Sequence, residues 1–560
     1  MTRAVSERQS FVNHATQVQP TCVALCLAGL LVVGAQVHAQ TAPDAGQTLR
    51  ELQRPDALPL PKDSAPLIIQ PPPAAITPPG GAQVMVKEIT FVGNTVLSTE
   101  LLMQALGSLL GKSFDLAGLR DIANQVTEIY RANGYPFSRA FLPPQPLDNG
   151  TLRIEIVEGR YGKVSATSEQ EAIAQQAQGW LGGLKPGAVI ESETLERTTL
   201  LLDDLPGVRT APAIRPGAEV GTGDLAVGVS KEQPYDISLG IENHGNRYTG
   251  YNRARVSANF NSPFMLGDQV SLTGLGSDKD LWLGSVNYSL PLGYTGLRGS
   301  VGFAHTTYEL AREFTNSGEG TADVATIGLS YPLIRSQKAN ITLAGNLQYK
   351  RLKDDKSNPA DNEKKHSNTL PLSVQFDHRD ALVGGGVTYG SVIWTYGELN
   401  RVETGDTLNT RGSFNKLNLD IARVQALPEN FTLFGRVSAQ SANKNLDSSE
   451  DMSLAGPGGV RAYPVGELSG DEGWLGQIEL RYAFGAYAPY IFYDHGRIRP
   501  NQDGSGTSRT LAGGGVGLRY QRGGWSADLA LAWRSEGGRP VDANEPDGEP
   551  RAWISVGYRF

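Results

Sequence analysis

The residue types that could support catalysis are few, and the clearest candidate is an adjacent pair, Asp494 and His495. An aspartate and a histidine could share general acid–base chemistry if both pointed into one site. The residues around them alternate between apolar and polar, as in a β-strand, where neighbours point to opposite faces. His244, His305 and His366 lack the spacing of metal ligands. We therefore expect no enzyme, no metal site and no cofactor.

The stretch from Gly456 to Gly496 contains a long loop followed by two alternating strands. The first strand places Gln477, Glu479 and Arg481 on one face and apolar side chains on the other. The second strand groups on one face Phe492, Asp494 and Gly496. A charged face opposite an apolar face suits a strand between a wet lumen and lipid. A soluble antiparallel sandwich has the same pattern, so these two strands alone do not decide between them.

Composition excludes some classes of protein. The chain has 560 residues, more than one ordinary domain, and a formal net charge of -8, which gives no basic field for nucleic acid. Glycine is abundant, with 66 residues, and no apolar run approaches the roughly 20 residues of a membrane-spanning helix. Both a soluble protein and an outer-membrane barrel fit these facts.

The N-terminus has the pattern of a secretory signal peptide, residues 1–39. Arg3 and Arg8 precede an apolar stretch from Cys22 to Val33, and small or tolerated residues precede a cut after Ala39. A lipid anchor on a cysteine is the alternative, but no small-residue box directly precedes either cysteine. Cys22 and Cys26 are the only cysteines, so the mature chain would contain neither a disulfide nor a free thiol.

Residues 40–83 are rich in proline and alanine and are predicted to form an extended linker. The segment Asp44–Arg54 within them has helical spacing, with Asp44 as its cap and Pro55 at its end. Two interpretations remain: a disordered tail, or a helix that docks elsewhere in the protein.

Residues 84–160 and 161–233 each show the order β-α-α-β-β. In the first unit, Ser98 and Asp115 cap the two helices and Gly134 ends the second. The two units resemble POTRA domains, most specifically in the segments YRANGYPFSRAFLPPQ and LRIEIVEG. Small sheets of this kind have open edges that an extended peptide can join, and the candidate edges are Phe137–Leu142 and Val208–Ile214.

Residues 234–560 contain about sixteen alternating segments separated by turns. Short turns such as LPLGYTG and QRGG alternate with long charged loops such as LKDDKSNPADNEKKHSN, and the longest loop covers residues 444–473. The last segment ends with Tyr558 and Phe560, an aromatic ending typical of an outer-membrane insertion signal. The predicted fold is a membrane β-barrel of 16 antiparallel strands with two periplasmic α+β POTRA domains.

Taken together, this architecture resembles the two-partner secretion transporters of the hemolysin secretion/activation family. Val460-Arg461-Ala462-Tyr463 resembles the VRGY motif of the family's sixth extracellular loop, and Phe492-Tyr493-Asp494-His495-Gly496 resembles the F-x-D-x-G motif of its thirteenth strand. The resemblance implies an outer-membrane translocator, with its POTRA domains in the periplasm, that secretes a large unfolded exoprotein. Its other partners would be outer-membrane lipid and the barrel-assembly machinery, with no nucleic acid, and it would be a monomer.

The resemblance also implies a site. Arg461 would reach from the loop to Asp494 on the inner wall, with Tyr463, Phe492 and Gly496 completing a lock between loop and barrel. Glu479 and Arg481 would extend this network; the alternative is that all are ordinary solvated charges. Ala462 stands where the family has glycine, which would cost about 1 kcal/mol if the backbone there were left-handed.

Two other functions share part of this architecture. A barrel-assembly factor of the same superfamily would have the barrel, the loop and POTRA units, but usually more of the latter and no Pro-rich linker. A passive porin would not need about 150 periplasmic residues of the POTRA type. In a transporter, the segment Asp44–Arg54 could plug the pore at rest, as an N-terminal helix does in some relatives.

Overall fold

The computed structural model describes residues 43–53, 80–315, 318–401, 406, 408–542 and 544–560. The predicted signal peptide and the linker segment 54–79 lie outside these residues. Within the described ranges, no helix combines the length and the apolar character needed to cross a membrane.

The first described element is helix α1, Ala45–Gln53, and it lies where the sequence spacing predicted a helix. Its cap is also the predicted one, because the Asp44 carboxylate accepts a hydrogen bond from the backbone N–H of Gln47 at 2.7 Å. The segment is therefore an ordered helix and not a disordered tail.

The next unit has the predicted β-α-α-β-β order in its main elements, with two additional short strands, Val84–Met85 and Ser113–Phe114. Its elements are β1 Val84–Met85, β2 Glu88–Val92, α2 Thr99–Leu106, β3 Ser113–Phe114, α3 Leu116–Ala132, β4 Arg139–Phe141 and β5 Thr151–Val157. The main sheet has the order β2-β5-β4, and β1 pairs separately with β3. The single strand predicted for VMVKEITFVG is therefore two strands, because its halves find different partners. Ser98 and Asp115 cap α2 and α3 as expected.

Glu158, at the end of the LRIEIVEG segment, holds this first unit together. Its carboxylate is buried and accepts hydrogen bonds from the backbone N–H groups of Thr95, at 2.5 Å, and Val96, at 2.9 Å, and from the Tyr130 hydroxyl at 3.1 Å. Burial alone would raise the pKa of Glu158, but these hydrogen bonds outweigh it and lower the pKa below its ordinary value. The charged carboxylate therefore stabilises the unit above the usual glutamate range, and this stabilisation is lost as pH falls through the lowered value.

The second unit repeats the order. Its elements are β6 Arg160–Thr167, α4 Glu171–Trp180, α5 Ser192–Asp203, β7 Val208–Pro216 and β8 Thr222–Lys231. The sheet has the order β6-β8-β7, with β6 parallel to β8. Apolar side chains of both helices, among them Trp180 and Leu202, pack against Val227 of the central strand to form its core.

Sixteen strands form a closed antiparallel barrel, which confirms the predicted fold. They are β9 Tyr235–Glu242, β10 Arg253–Asn261, β11 Gln269–Ser277, β12 Trp282–Pro291, β13 Arg298–Glu309, β14 Gly318–Arg335, β15 Ala339–Lys356, β16 Glu363–Asp380, β17 Gly386–Arg401, β18 Gly412–Ala426, β19 Phe431–Ala442, β22 Glu472–Tyr482, β23 Tyr487–Arg499, β24 Arg509–Arg522, β25 Trp525–Glu536 and β26 Arg551–Arg559. Two short strands between β19 and β22, β20 Met452–Ser453 and β21 Ser469–Gly470, pair with each other and are not part of the barrel. Alternate residues such as Ile478 and Ile491 are exposed on the outer face, where lipid covers them, while Glu479 and Phe492 are buried inside.

One predicted loop is mostly strand. The segment LKDDKSNPADNEKKHSN, residues 352–368, was expected to be a long charged loop, but β15 continues to Lys356 and β16 begins at Glu363. The inward residues Asp354 and Lys365 are buried in the lumen. These strand ends carry charged residues on both the lumenal face and the water-exposed outer face. The sequence therefore lacks the alternation of apolar and polar residues that indicates a strand.

The second unit is fixed to the barrel at its short turns. The Arg335 guanidinium binds both carboxylate oxygens of Asp204, the residue that follows α5, at 2.6 and 2.7 Å. Arg197 donates to the carbonyl oxygen of Pro332 at 2.7 Å, and the backbone N–H of Leu266 donates to the Gln176 side chain at 2.8 Å. These contacts place the unit under the turns that follow β10 and β14.

Candidate functional site

The long connection between β19 and β22 folds back into the barrel, and it is called loop 443–471 below. It includes a two-stranded ribbon of β20 Met452–Ser453 and β21 Ser469–Gly470. Its apolar residues Leu454, Val460 and Tyr463 are fully buried in a cluster with wall residues of β22 to β26. The loop tip is therefore packed against the inner wall and is not a solvated extracellular loop.

Arg461 at the tip binds Asp494 on β23. The Nε and Nη2 atoms of Arg461 donate to the two carboxylate oxygens of Asp494 at 2.8 and 2.7 Å, and the Arg461 backbone N–H adds a third bond at 3.1 Å. Asp494 is 0% exposed and Arg461 is 5% exposed. Bidentate arginine–carboxylate pairs are strong and directional, and loss of one partner from a buried pair costs about 3–5 kcal/mol.

Glu479 on β22 binds three arginines, Arg461 of the loop and two arginines of the wall. Arg461 Nη1 lies 2.6 Å from Glu479 Oε1, Arg481 Nε donates to Glu479 Oε2 at 2.8 Å, and Arg519 Nη1 donates to the same oxygen at 3.1 Å. A cavity of about 350 Å³ borders this network. The structure thus brings Glu479 and Arg481 into the network with Arg461 and Asp494, so that none of the four is an isolated solvated charge.

The aromatic residues of the two motifs also contact the loop. The guanidinium carbon of Arg461 lies 3.6 Å from the ring centre of Phe492, in the geometry of a cation–π contact. Tyr463 is fully buried, and its hydroxyl donates to the carbonyl oxygens of Glu536 and Gly538, at 2.7 and 2.9 Å. Arg461 and Tyr463 therefore bind different parts of the wall, which fixes the tip at two points.

Two small residues make the close approach of loop and wall possible. A side chain at Gly496 would meet Leu454 of the loop at 2.4 Å and the backbone oxygen of Trp474 at 2.6 Å, so only glycine fits there. Ala462 does not have a positive φ, so the left-handed strain considered for alanine does not arise. Its methyl group lies over Gly513 of β24, where an added side chain would meet it at 2.4 Å.

The remaining predicted site residues lie elsewhere. Tyr558 and Phe560 lie at the end of the last strand, with ring centres 4.7 Å apart, and Phe560 is exposed on the outside. The sequence placed Gln477 on the same face as Glu479 but not in the site, and it did not indicate Arg519 or Trp553 as residues of the site. Trp553 donates from its indole N–H to the Arg461 carbonyl oxygen at 2.7 Å, and Gln477 binds both Asp494 and the carbonyl oxygen of Gly459. The sequence signal that could have indicated Trp553 is an aromatic residue on the inward face of the last strand.

Helix α1 also lies in the lumen, between the wall and loop 443–471. The backbone N–H of Ala45 donates to Asp354 of β15 at 2.8 Å, and the carboxylate of Asp44 binds Lys365 of β16, at 3.2 Å, and the hydroxyl of Ser448, at 2.7 Å. Lys365 binds Asp447 of the loop as well, at 2.6 Å. One lysine of the wall therefore holds both the helix and the base of the loop.

The apolar face of α1 completes this docking. Leu49 and Leu52 are buried in a cluster with wall residues of β11 to β15, among them Leu275, Tyr308 and Leu352. On its opposite side, Arg50 donates to the Ser448 carbonyl oxygen at 2.9 Å. The helix therefore packs against apolar wall on one side and against the loop on the other.

Comparison with known proteins agrees with this architecture. The family model "Haemolysin secretion/activation protein ShlB/FhaC/HecB" matches residues 221–520, and the model "POTRA domain, ShlB-type" matches residues 84–159. The heme/hemopexin transporter protein HuxB of Haemophilus influenzae is 25% identical over 94% of this chain and 96% of its own length. The outer membrane transporter CdiB of Escherichia coli is 26% identical over 87% of this chain and 85% of its own. The solved structure of CdiB from Escherichia coli superposes with a TM-score of 0.71 at 22% identity, covering 89% of this chain and 94% of that one.

Proposed function

The chain belongs to the haemolysin secretion/activation protein family, and from this premise we propose that the POTRA domains capture its exoprotein while α1 and loop 443–471 control the pore. The protein is an outer-membrane transporter, not an enzyme, and it secretes a partner exoprotein. Its POTRA domains lie in the periplasm. The relatives named as transporters of heme/hemopexin and hemolysin indicate the class of cargo, a large secreted protein of the hemolysin, adhesin or contact-dependent toxin type.

The single observation that carries the pore-control proposal is the placement of Arg461. The lumen of a conducting barrel must be wide enough for an extended chain, and loop 443–471 with α1 now fills part of it. Arg461 holds the loop to Asp494 and Glu479, so it sets the stability of the resting arrangement. α1 serves as a plug at rest in this proposal, and Tyr558 and Phe560 serve as the signal for insertion by the barrel-assembly machinery.

Exoprotein capture requires an open sheet edge, and most POTRA edges are closed by the chain itself. Ala140 at the centre of β4 donates its N–H to the Thr127 hydroxyl at 3.0 Å. On β6, the N–H of Ala166 donates to the Gln178 side chain at 2.7 Å. On β7, the N–H of Thr210 donates to Asp203 at 2.8 Å, and Pro212 has no N–H to offer. The two edges expected from sequence, in Phe137–Leu142 and Val208–Ile214, are thus poor acceptors of an added strand.

Edge strand β2 remains as the capture site. Within the described part of the chain, Glu88–Val92 pairs with β5 alone, and the side chain of Val92 is exposed. We expect a photo-crosslinking residue at Val92 to form an adduct with the exoprotein in the periplasm. The same residue at Ala211 on β7 is the matched control and should give at least fivefold less adduct. Equal adduct from both positions, or more from Ala211, contradicts capture at β2.

The transport function is tested by secretion. The protein is expressed with the large secreted protein encoded beside it, and the culture medium is assayed for that product. Deleting residues 84–232 should abolish secretion while the barrel still folds, as judged by its heat-modifiable migration on gels. If the exoprotein is secreted without residues 84–232, capture by the POTRA domains is wrong. If no product is secreted and other outer-membrane proteins are depleted when this protein is removed, the protein is a barrel-assembly factor instead.

A further inference from the structure

The junction between the first and last strands of the barrel is its weakest in backbone pairing. The β26–β9 ladder runs from the pair Ser555–Glu242 to the pair Arg559–Ser238, only five residue pairs. The junctions on either side, β9–β10 and β25–β26, have eight pairs each. Each lost pair removes backbone hydrogen bonds, so this junction, called the seam below, needs other contacts to stay closed.

Asn243 extends the seam beyond the end of β9. Its backbone N–H donates to the Ile554 carbonyl oxygen at 3.1 Å. Its side-chain oxygen accepts the Ile554 N–H at 2.8 Å, and its side-chain NH₂ donates to the Ala552 carbonyl oxygen at 3.0 Å. An asparagine amide offers an acceptor and donors in one plane, as a peptide unit does. Asn243 therefore takes the place of a missing strand residue.

Side chains also close both ends of the seam. At the periplasmic end, the Arg559 guanidinium binds both oxygens of Asp236, at 2.7 and 2.5 Å. At the extracellular end, the loop after β9 is joined to the loop before β26. The Tyr248 hydroxyl donates to Asp542 at 2.6 Å, and the Tyr251 hydroxyl donates to Glu545 at 2.8 Å.

We propose that Asn243 is a positioning residue that substitutes for a strand residue at the seam, and that the seam stays closed while the exoprotein passes through the lumen. The proposal rests on the transport function proposed above. A barrel that released its cargo sideways would have to break the contacts of Asn243, Asp236 and the two tyrosines in every cycle. The seam is thus held by side chains at its periplasmic end and at its extracellular end, and by Asn243 beyond its last backbone pair.

A reversible crosslink tests the closed seam. Ile241 and Val556 face each other across it, and paired positions in a sheet are close enough for a disulfide. The chain has only two cysteines, Cys22 and Cys26, and both lie in the predicted signal peptide, so the disulfide of the pair Ile241→Cys/Val556→Cys would have no competing thiol once that peptide is removed. The control pair Leu239→Cys/Val256→Cys crosslinks β9 to β10 instead. Secretion of the co-expressed exoprotein should stay within twofold of the reduced state for both pairs. A tenfold loss with the seam pair alone, reversed by reduction, overturns the proposal.

Asn243→Ala tests the surrogate role directly. The variant should lower the temperature at which the barrel loses its folded migration on gels by a few degrees, and Asn243→Asp, which keeps the acceptor, should lower it less. Asn252→Ala is the control, because Asn252 binds Asp278 away from the seam. An unchanged transition in Asn243→Ala overturns the role of Asn243. If even the wild-type protein secretes nothing, the transport function fails, and with it the claim about export; the thermal transition still decides the role of Asn243.

Discussion

Replacing Asp494 with alanine should reduce secretion of the exoprotein at least tenfold while leaving the barrel folded. The substitution leaves the buried Arg461 guanidinium with only one of its two carboxylate partners. Removing one partner of a buried pair costs about 3–5 kcal/mol. Since each 1.4 kcal/mol is a factor of ten, the docked loop would lose at least two orders of magnitude in population relative to the undocked loop. The measurement is the amount of exoprotein in the medium, normalised to the transporter in the outer membrane.

Asp420→Ala is the matched control for this prediction. Asp420 lies on the inner wall of β18 and binds Arg436, at 2.9 and 2.5 Å, without contacting loop 443–471. Its loss removes a lumenal ion pair of the same kind, so secretion near the wild-type level separates the loop from the general charge balance of the wall. Secretion by Arg461→Lys should lie between that of Asp494→Ala and that of the wild type, because lysine keeps the charge but loses the bidentate geometry. If Asp494→Ala secretes normally, the ion pair between Arg461 and Asp494 has no role in secretion.

The barrel was predictable because it follows from the period of two, whereas the pairing of Arg461 with Asp494 was predicted from the resemblance to the family's motifs. Alternation assigns each residue of a strand to lipid or lumen, so Glu479 and Asp494 could be placed on the inner wall before their distances were known. The loop that carries Arg461 was recognised by its resemblance to the family's motif, and the number of strands that precede it agreed with that assignment.

The partners contributed by distant strands could not be predicted. Trp553 and Arg519 approach the loop site only because the barrel closes, and the register across several strands determines which inward residue faces the tip. The lumenal contacts of α1 could not be predicted for a related reason. Its partners Asp354 and Lys365 lie in a segment whose charges suggested a loop. The strands there have polar residues on both faces, so the alternation of apolar and polar residues that identifies a strand is missing.

Removing residues 43–53 should raise the ion conductance of the transporter in planar bilayers severalfold. The helix occupies lumen that would otherwise be open, and what holds it there is of limited strength. Burial of Leu49 and Leu52 contributes about 1.5–3 kcal/mol each, and each neutral hydrogen bond adds about 1 kcal/mol. A plug held by such contacts resists thermal opening, yet an arriving exoprotein can displace it by binding. A conductance that is unchanged by the deletion would show that α1 does not limit the pore.

A single substitution should raise the conductance as the deletion does, without shortening the chain. Gly46 of α1 faces the loop, and an added methyl group there would meet Ser448 Oγ at 2.3 Å and the backbone nitrogen of Ser449 at 2.8 Å. In an exposed helix, Gly→Ala is favourable by about 1 kcal/mol. Gly46→Ala should therefore strengthen the helix itself while driving it away from the loop, and conductance should rise as in the deletion. Gln47→Ala, one residue further and only half-buried, should conduct like the wild type. If Gly46→Ala instead lowered conductance, the stability of the helical conformation, and not the packing of the helix against loop 443–471, would keep α1 in the lumen.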